Sequence, residues 1–265
     1  MVKIVSLIVF VLFLSEANAQ DFARRQLEAS PRHHEWVKVK SGEREVHCFV
    51  VFPEVSKEAT VAIVIHENRG LTDWVRSFSD QLAKAGYIAV APDMLSDFST
   101  DYQKTSDFPS SDDARNAIYE LAPEQVKNDL NAVQSYAAKM QAGNGKTVAI
   151  GFCWGGSQSF RFATNNDKLK AALVFYGSAP ESASEIERIT APVYGFYGEN
   201  DSRINSGIPA TEKMMKEAGK IYDYVIYDGA GHAYMRQGDA PEELGDNKKA
   251  RDESWKRIKT ILSEI

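Results

Sequence analysis

The stretch Gly151-Phe152-Cys153-Trp154-Gly155-Gly156 decides how this chain is read. It follows the apolar, strand-like Thr147-Val148-Ala149-Ile150 and precedes a helix-like segment from Ser157 to Ala163. A reactive side chain at such a strand-to-helix turn is a nucleophile elbow. The turn is so sharp that its flanks must be small, and Gly151 and Gly155 stand two residues before and after Cys153, where it needs them. The pattern is G-x-C-x-G, with cysteine in place of the usual serine. A thiol at a helix N-terminus meets the positive end of the macrodipole and several free backbone N–H groups, which stabilise thiolate and oxyanion alike. The competing reading is a buried cysteine whose neighbouring glycines merely let strand and helix pack closely.

Outward from the elbow, strands alternate with helices. Upstream, Trp36 to Lys40 and Glu43 to Phe52 read as a hairpin ended by Pro53. The run Thr60 to Ile65 is continuously apolar and β-branched, as expected of a strand buried on both faces. It ends at His66-Glu67-Asn68-Arg69-Gly70. A helix from Thr72 to Ala85, stopped by Gly86, and a strand from Tyr87 to Ala91 complete a βαβ unit. Leu95 to Asp113, rich in Ser, Asp and Thr, reads as a long loop, and residues 123–140 as a helix with Pro123 in its first turn. Downstream come strands Ala171 to Tyr176, Val193 to Tyr197 and Tyr222 to Tyr227, with helices Pro209 to Ala218 and Lys249 to Leu262. This rhythm predicts one α/β domain over residues 36–265, a doubly wound, mostly parallel sheet with an antiparallel N-terminal start. In such sheets the ligand sits at the carboxyl ends of the strands.

Two further loops at strand ends carry chemistry. Gly198-Glu199-Asn200-Asp201 follows one strand and Asp228-Gly229-Ala230-Gly231-His232 follows another. The order Cys153, Asp201, His232 is the nucleophile, acid, histidine order of the α/β-hydrolase fold. His232 would take the thiol proton as general base and return it to the leaving group, while Asp201 holds the imidazole in the needed tautomer. Taken singly, Asp201 also reads as a turn-forming aspartate and His232 as a loop histidine.

In these pieces the chain resembles the dienelactone hydrolase family, the carboxymethylenebutenolidases. The likeness rests on the cysteine elbow, the Glu67 loop, Gly198 to Asp201, and Ala230-Gly231-His232-Ala233-Tyr234-Met235-Arg236, and runs from about Trp36 onward. It implies hydrolysis of an ester or lactone without cofactor or metal. It also implies that Glu67 modulates the Cys153 thiol, with a solvated loop carboxylate as the alternative. The oxyanion donors would be the backbone N–H groups of Asn68 and Trp154. Arg236 and, more loosely, Arg115 match positions that bind a substrate carboxylate; the alternative for both is a surface arginine. At Asn68-Arg69 the chain departs from the family, which more often has apolar residues there. Arg69 adds a cation at the pocket mouth, which favours an anionic substrate and sets dienelactone itself in question.

Composition bounds the rest. The 265 residues are 43% hydrophobic and 26% charged with a net charge of -6, which argues against nucleic acid or an anionic membrane as partner. Lys3, the apolar run Ile4 to Leu14 and Ala17-Asn18-Ala19 read as a secretory signal cleaved after Ala19. The run is much shorter than the roughly twenty residues that span a bilayer. The expected product is a monomeric periplasmic or secreted protein. Its two cysteines, Cys48 and Cys153, are read as unpaired, because Cys48 lies within an apolar strand and pairing would disable Cys153. Residues 20–35, with His33 and His34, read as a polar surface arm; adjacent histidines point apart on an extended chain, which argues against a metal site.

The leading expectation is a cysteine hydrolase cleaving an activated, carboxylate-bearing ester or enol lactone through an acyl-cysteine. Thiolate leaves more readily than alkoxide, so an acyl-cysteine forms productively only when the substrate's own leaving group is good. The alternative is a non-catalytic member of the fold that binds a small acidic ligand or a protein partner.

Overall fold

The computed structural model describes residues 20–265. The expected signal segment, residues 1–19, lies outside the described residues.

Eight strands form a single sheet in the order β1-β2-β4-β3-β5-β6-β7-β8. They are β1 (His34–Ser41), β2 (Arg44–Val51), β3 (Ala59–Ile65), β4 (Ile88–Pro92), β5 (Gly143–Phe152), β6 (Leu169–Phe175), β7 (Val193–Gly198) and β8 (Tyr222–Tyr227). β1 and β2 form the expected hairpin, Val39 facing Val46, and β2 runs antiparallel to β4. All remaining neighbours are parallel. Every residue of β3 is buried because helices cover both faces of the sheet. Ala62 and Val64 pack toward α2 (Asp73–Lys84) and the C-terminal helix Asp246–Ser263. Val61, Ile63 and Ile65 pack toward α4 (Pro123–Ala137).

Two segments differ from the sequence expectation. Within the segment read as a polar surface arm, residues 20–28 are helical (α1). Ala23 is fully buried in the core, and the Gln20 side chain accepts a hydrogen bond from the Trp74 N–H at 3.0 Å. That N–H lies in the first turn of α2, where Thr72 provides no side-chain cap, so α1 satisfies an otherwise unpaired donor. Of the two histidines in this region, His34 donates to Asp80 at 2.8 Å beside Arg32. The expected loop over Leu95 to Asp113 contains the start of α3 (Ser111–Glu120). Its Ser and Asp residues are helix-initiating: the Ser110 side chain caps the Asp113 N–H at 3.1 Å, and Asp112 and Asp113 stand in the first turn. Ala114, Ala117 and Ile118 then bury one face at helical spacing.

Candidate active site

The elbow forms as the sequence implies. β5 ends at Phe152, α5 (Trp154–Asn165) begins one residue after Cys153, and Cys153 itself has φ 54°, ψ -115°. A non-glycine residue there costs on the order of 1–3 kcal/mol and persists only where its surroundings demand it. The demand is visible on both sides. Cys153 N–H donates to Phe175 O at 3.0 Å, and a Cβ on Gly151 would lie 1.9 Å from Gly155 O. A Cβ on Gly155 would lie 2.3 Å from the carbonyls of both Ile65 and His66. The glycines therefore do permit close packing, and the packing holds the thiol at the turn. Both cysteines are free; Cys48 is fully buried in β2 and burial pushes its thiol well up.

Asp201 and His232 are brought together by stitching between the loops after β7 and β8. Glu199 N–H donates to Tyr227 O at 3.0 Å, Asn200 N–H to Ala230 O at 2.9 Å, and Gly229 N–H to the Glu199 carboxylate at 2.8 Å. Within this frame His232 Nδ1 donates to Asp201 Oδ2 at 2.5 Å. Burial works against charge on the ring, but hydrogen bonds to Asp201 and Cys153, with the negative charges of both, outweigh it. The result is a pKa pushed up to about 9. The His232–Asp201 pair and Cys153 thus stand together, and the thiol contributes to the raised pKa of the ring. Ala233, with φ 62°, then turns the chain into the short helix Tyr234–Gln237, which carries Arg236.

Glu67 and Arg236 are buried, at 7% and 8% exposure, which removes the solvated-loop reading of one and the surface reading of the other. They are paired: Arg236 Nε donates to Glu67 Oε2 at 2.8 Å. The other two candidate arginines lean on α3. Arg69 donates to Ser111 Oγ at 2.6 Å and lies 3.4 Å from Asp112, while Arg115 lies 3.6 Å from the same carboxylate. The Asn68 side chain donates to Tyr119 Oη, also on α3, at 3.0 Å. The segment read as a loop is therefore a wall of the site.

All of these groups line one cavity of about 450 Å³ at the carboxyl ends of the strands: Cys153, His232, Glu67, Asn68, Trp154, Arg69, Arg115 and Arg236. Asp201 stands behind His232, 6% exposed. Trp154 is the first residue of α5, so its N–H has no partner within the helix and is available to an oxyanion. Sequence reasoning missed several lining residues, Tyr176 and Arg203 among them. Tyr176 immediately follows β6, a strand-end position that could have signalled it. It is fully buried with φ 39°, packs edge-on against His232 with ring centroids 5.0 Å apart, and its hydroxyl has no hydrogen-bond partner among the described residues. Arg203 lies two residues past Asp201. Four arginines around one carboxylate make a cationic cavity in a chain of net charge -6, a field that draws in an anionic ligand. Among the described residues no cluster of His, Cys, Asp and Glu could hold a metal ion, and no helix is long and apolar enough to cross a membrane.

Comparison with known proteins agrees with this geometry. A Saccharolobus solfataricus protein assigned the name carboxymethylenebutenolidase is 27% identical over 257 residues, covering 83% of this chain and 95% of its own. A Bradyrhizobium protein assigned the name 2-oxo-3-(5-oxofuran-2-ylidene)propanoate lactonase is 26% identical over 212 residues, covering 76% of this chain and 83% of its own. A Klebsiella pneumoniae crystal structure assigned as a dienelactone hydrolase superposes with a TM-score of 0.76 at 23% identity, covering 88% of this chain and 99% of that one, and shares the fold. The sequence model of the dienelactone hydrolase family matches residues 46–265. With eight strands in the α/β-hydrolase arrangement and its strand-end loops gathered around one cavity, the chain belongs to the dienelactone hydrolase family, a hydrolase acting on an ester or lactone.

Proposed function

We propose that this protein is an exported, monomeric cysteine hydrolase that cleaves an activated, carboxylate-bearing ester or enol lactone through an acyl-cysteine. The observation that carries the reading is Cys153 on a strained elbow, lining with His232 of the His232–Asp201 pair one cavity with four arginines.

The chemistry follows from the placement. The thiol proton of Cys153 passes to His232, whose raised pKa favours the transfer, and Sγ forms a bond to the substrate carbonyl carbon. The carbonyl oxygen becomes an oxyanion held by the N–H groups of Trp154 and Asn68. Collapse breaks the bond to the alkoxy or enol oxygen, which leaves with the proton from His232. Water then attacks the thioester, giving its proton to His232; the carboxylic acid departs and Sγ recovers the proton. A lactone releases nothing after the first step, because its leaving oxygen stays tethered to the acyl group. Asp201 keeps the imidazole oriented and stabilises its charged form throughout. A carboxylate on the substrate is attracted by the arginines lining the cavity, two of which also lean on Asp112.

The direct test is mass spectrometry of the protein quenched during turnover of p-nitrophenyl acetate and of an enol lactone. The expected result is a single acyl adduct on Cys153, absent in Cys153→Ala together with turnover. Unchanged hydrolysis by Cys153→Ala would overturn the assignment.

A further inference from the structure

His66 immediately follows β3, is fully buried, and takes no part in the chemistry above. Its Nδ1 lies 2.7 Å from the carbonyl oxygen of Glu67, and its Nε2 lies 3.1 Å from the N–H of Met94. A carbonyl oxygen only accepts and an amide N–H only donates. The tautomer is therefore set: the proton is on Nδ1, and Nε2 presents its lone pair. Burial pushes the pKa of this ring down and keeps it neutral.

The carbonyl that His66 holds belongs to the same peptide unit as the N–H of Asn68. No peptide among the described residues is cis, and across a trans peptide the C=O and N–H point in opposite directions in one plane. Holding the Glu67 carbonyl toward His66 therefore aims the Asn68 N–H away from it, on the side of the cavity that Asn68 lines. The same imidazole stacks on the indole of Trp154, ring centroids 5.6 Å apart and planes 15° from parallel. Trp154 supplies the second oxyanion donor. One buried ring thus touches both halves of the oxyanion hole, one by a hydrogen bond and one by stacking.

We propose that His66 is a positioning residue for the oxyanion hole, holding the Glu67–Asn68 peptide plane against Trp154 so that both N–H groups converge on the substrate carbonyl oxygen. The proposal rests on the reading that Cys153 is acylated.

Two variants divide the two hydrogen bonds. In His66→Asn the side-chain amide nitrogen takes the place of Nδ1 and keeps the donor to Glu67. In His66→Gln the side-chain oxygen takes the place of Nε2 and keeps the acceptor for Met94 while losing that donor. Two rates on Cys153 are then measured: acylation by p-nitrophenyl acetate, which needs an oxyanion hole, and alkylation by iodoacetamide, which does not. Loss of a whole oxyanion donor costs about 10²–10³ in rate, so misaiming one should slow acylation by about tenfold or more in His66→Gln. Alkylation should stay within about twofold of the parent, and His66→Asn should acylate within about threefold of it. Equal acylation by the two variants, a parallel fall of both rates, or a tenfold loss in His66→Asn alone would overturn the proposal. If His66→Gln does not fold, the His66→Asn rate still decides. Failure of the underlying reading looks different, because iodoacetamide would then label Cys153 without acylation ever occurring there.

Discussion

Arg236 Nε donates to Glu67 Oε2 at 2.8 Å across 169 residues of sequence, with both side chains nine-tenths buried. The pair joins the loop after β3 to the short helix that follows the β8 loop and gives Glu67 a partner other than solvent. Removing Arg236 takes from the buried Glu67 carboxylate its ion-pair partner, a loss typically worth about 3–5 kcal/mol. Arg236→Ala should therefore lower stability to urea by about that much. The double variant Glu67→Leu/Arg236→Met should be more stable than either single change. Single effects that add within about 0.5 kcal/mol would show that the two charges do not depend on each other.

The same pair reshapes the test of carboxylate recognition. Arg236→Ala alone disturbs Glu67, so it should impair neutral and carboxylate-bearing esters together. In a Glu67→Gln background the disturbance is removed. There, Arg236→Ala should raise KM for carboxylate-bearing esters at least about tenfold more than for neutral ones. Equal effects in that background would exclude Arg236 from carboxylate binding.

His232 makes stability depend on pH in a stated direction. Burial lowers its pKa, yet Asp201 and Cys153 raise it further, to about 9, against about 6.5 in the unfolded chain. The folded state holds the proton more tightly, so this contribution is complete below about pH 6.5 and is lost as pH rises through about 9. Asp201→Asn removes a main raising partner and should flatten the decline across that window. Urea midpoints at pH 6, 7.5 and 9.5 measure it; a parent with no decline, or an unchanged slope in Asp201→Asn, would contradict the coupling.

The backbone of Cys153 at φ 54° stores strain that glycine would relieve. Both Cys153→Gly and Cys153→Ala should be inactive, with the Gly variant more stable than the Ala variant by about 1 kcal/mol. Equal denaturation midpoints would indicate that the elbow is not strained.

Asp112 neutralises part of the charge of both Arg69 and Arg115 at the cavity mouth. Asp112→Ala should lower KM for carboxylate-bearing esters by about two- to fivefold while leaving neutral esters unchanged, an effect that fades in high salt. Identical shifts for both substrate types would show that these arginines do not face the substrate.

The eight strands and the order of the catalytic loops were legible in the sequence because each is a local property. A strand buried on both faces has to be a short apolar β-branched run, as at Thr60 to Ile65, and an elbow has to have small residues around its nucleophile, as at Gly151 and Gly155. Local rules also mislead where composition is ambiguous. Ser and Asp mark both loops and helix starts, so the sequence extends the loop over the first residues of α3 and makes residues 20–28 part of an arm, whereas buried Ala114 and Ala23 show which faces pack. Tertiary structure alone decided who meets whom. It pairs Glu67 with Arg236, ties Arg69 and Arg115 to Asp112, brings Tyr176 against His232, and sets His66 between the Glu67 carbonyl and the Trp154 indole. A residue's type determines what bonds it can make, but distance through space selects among them, and that distance is set only when the sheet brings its strand ends together.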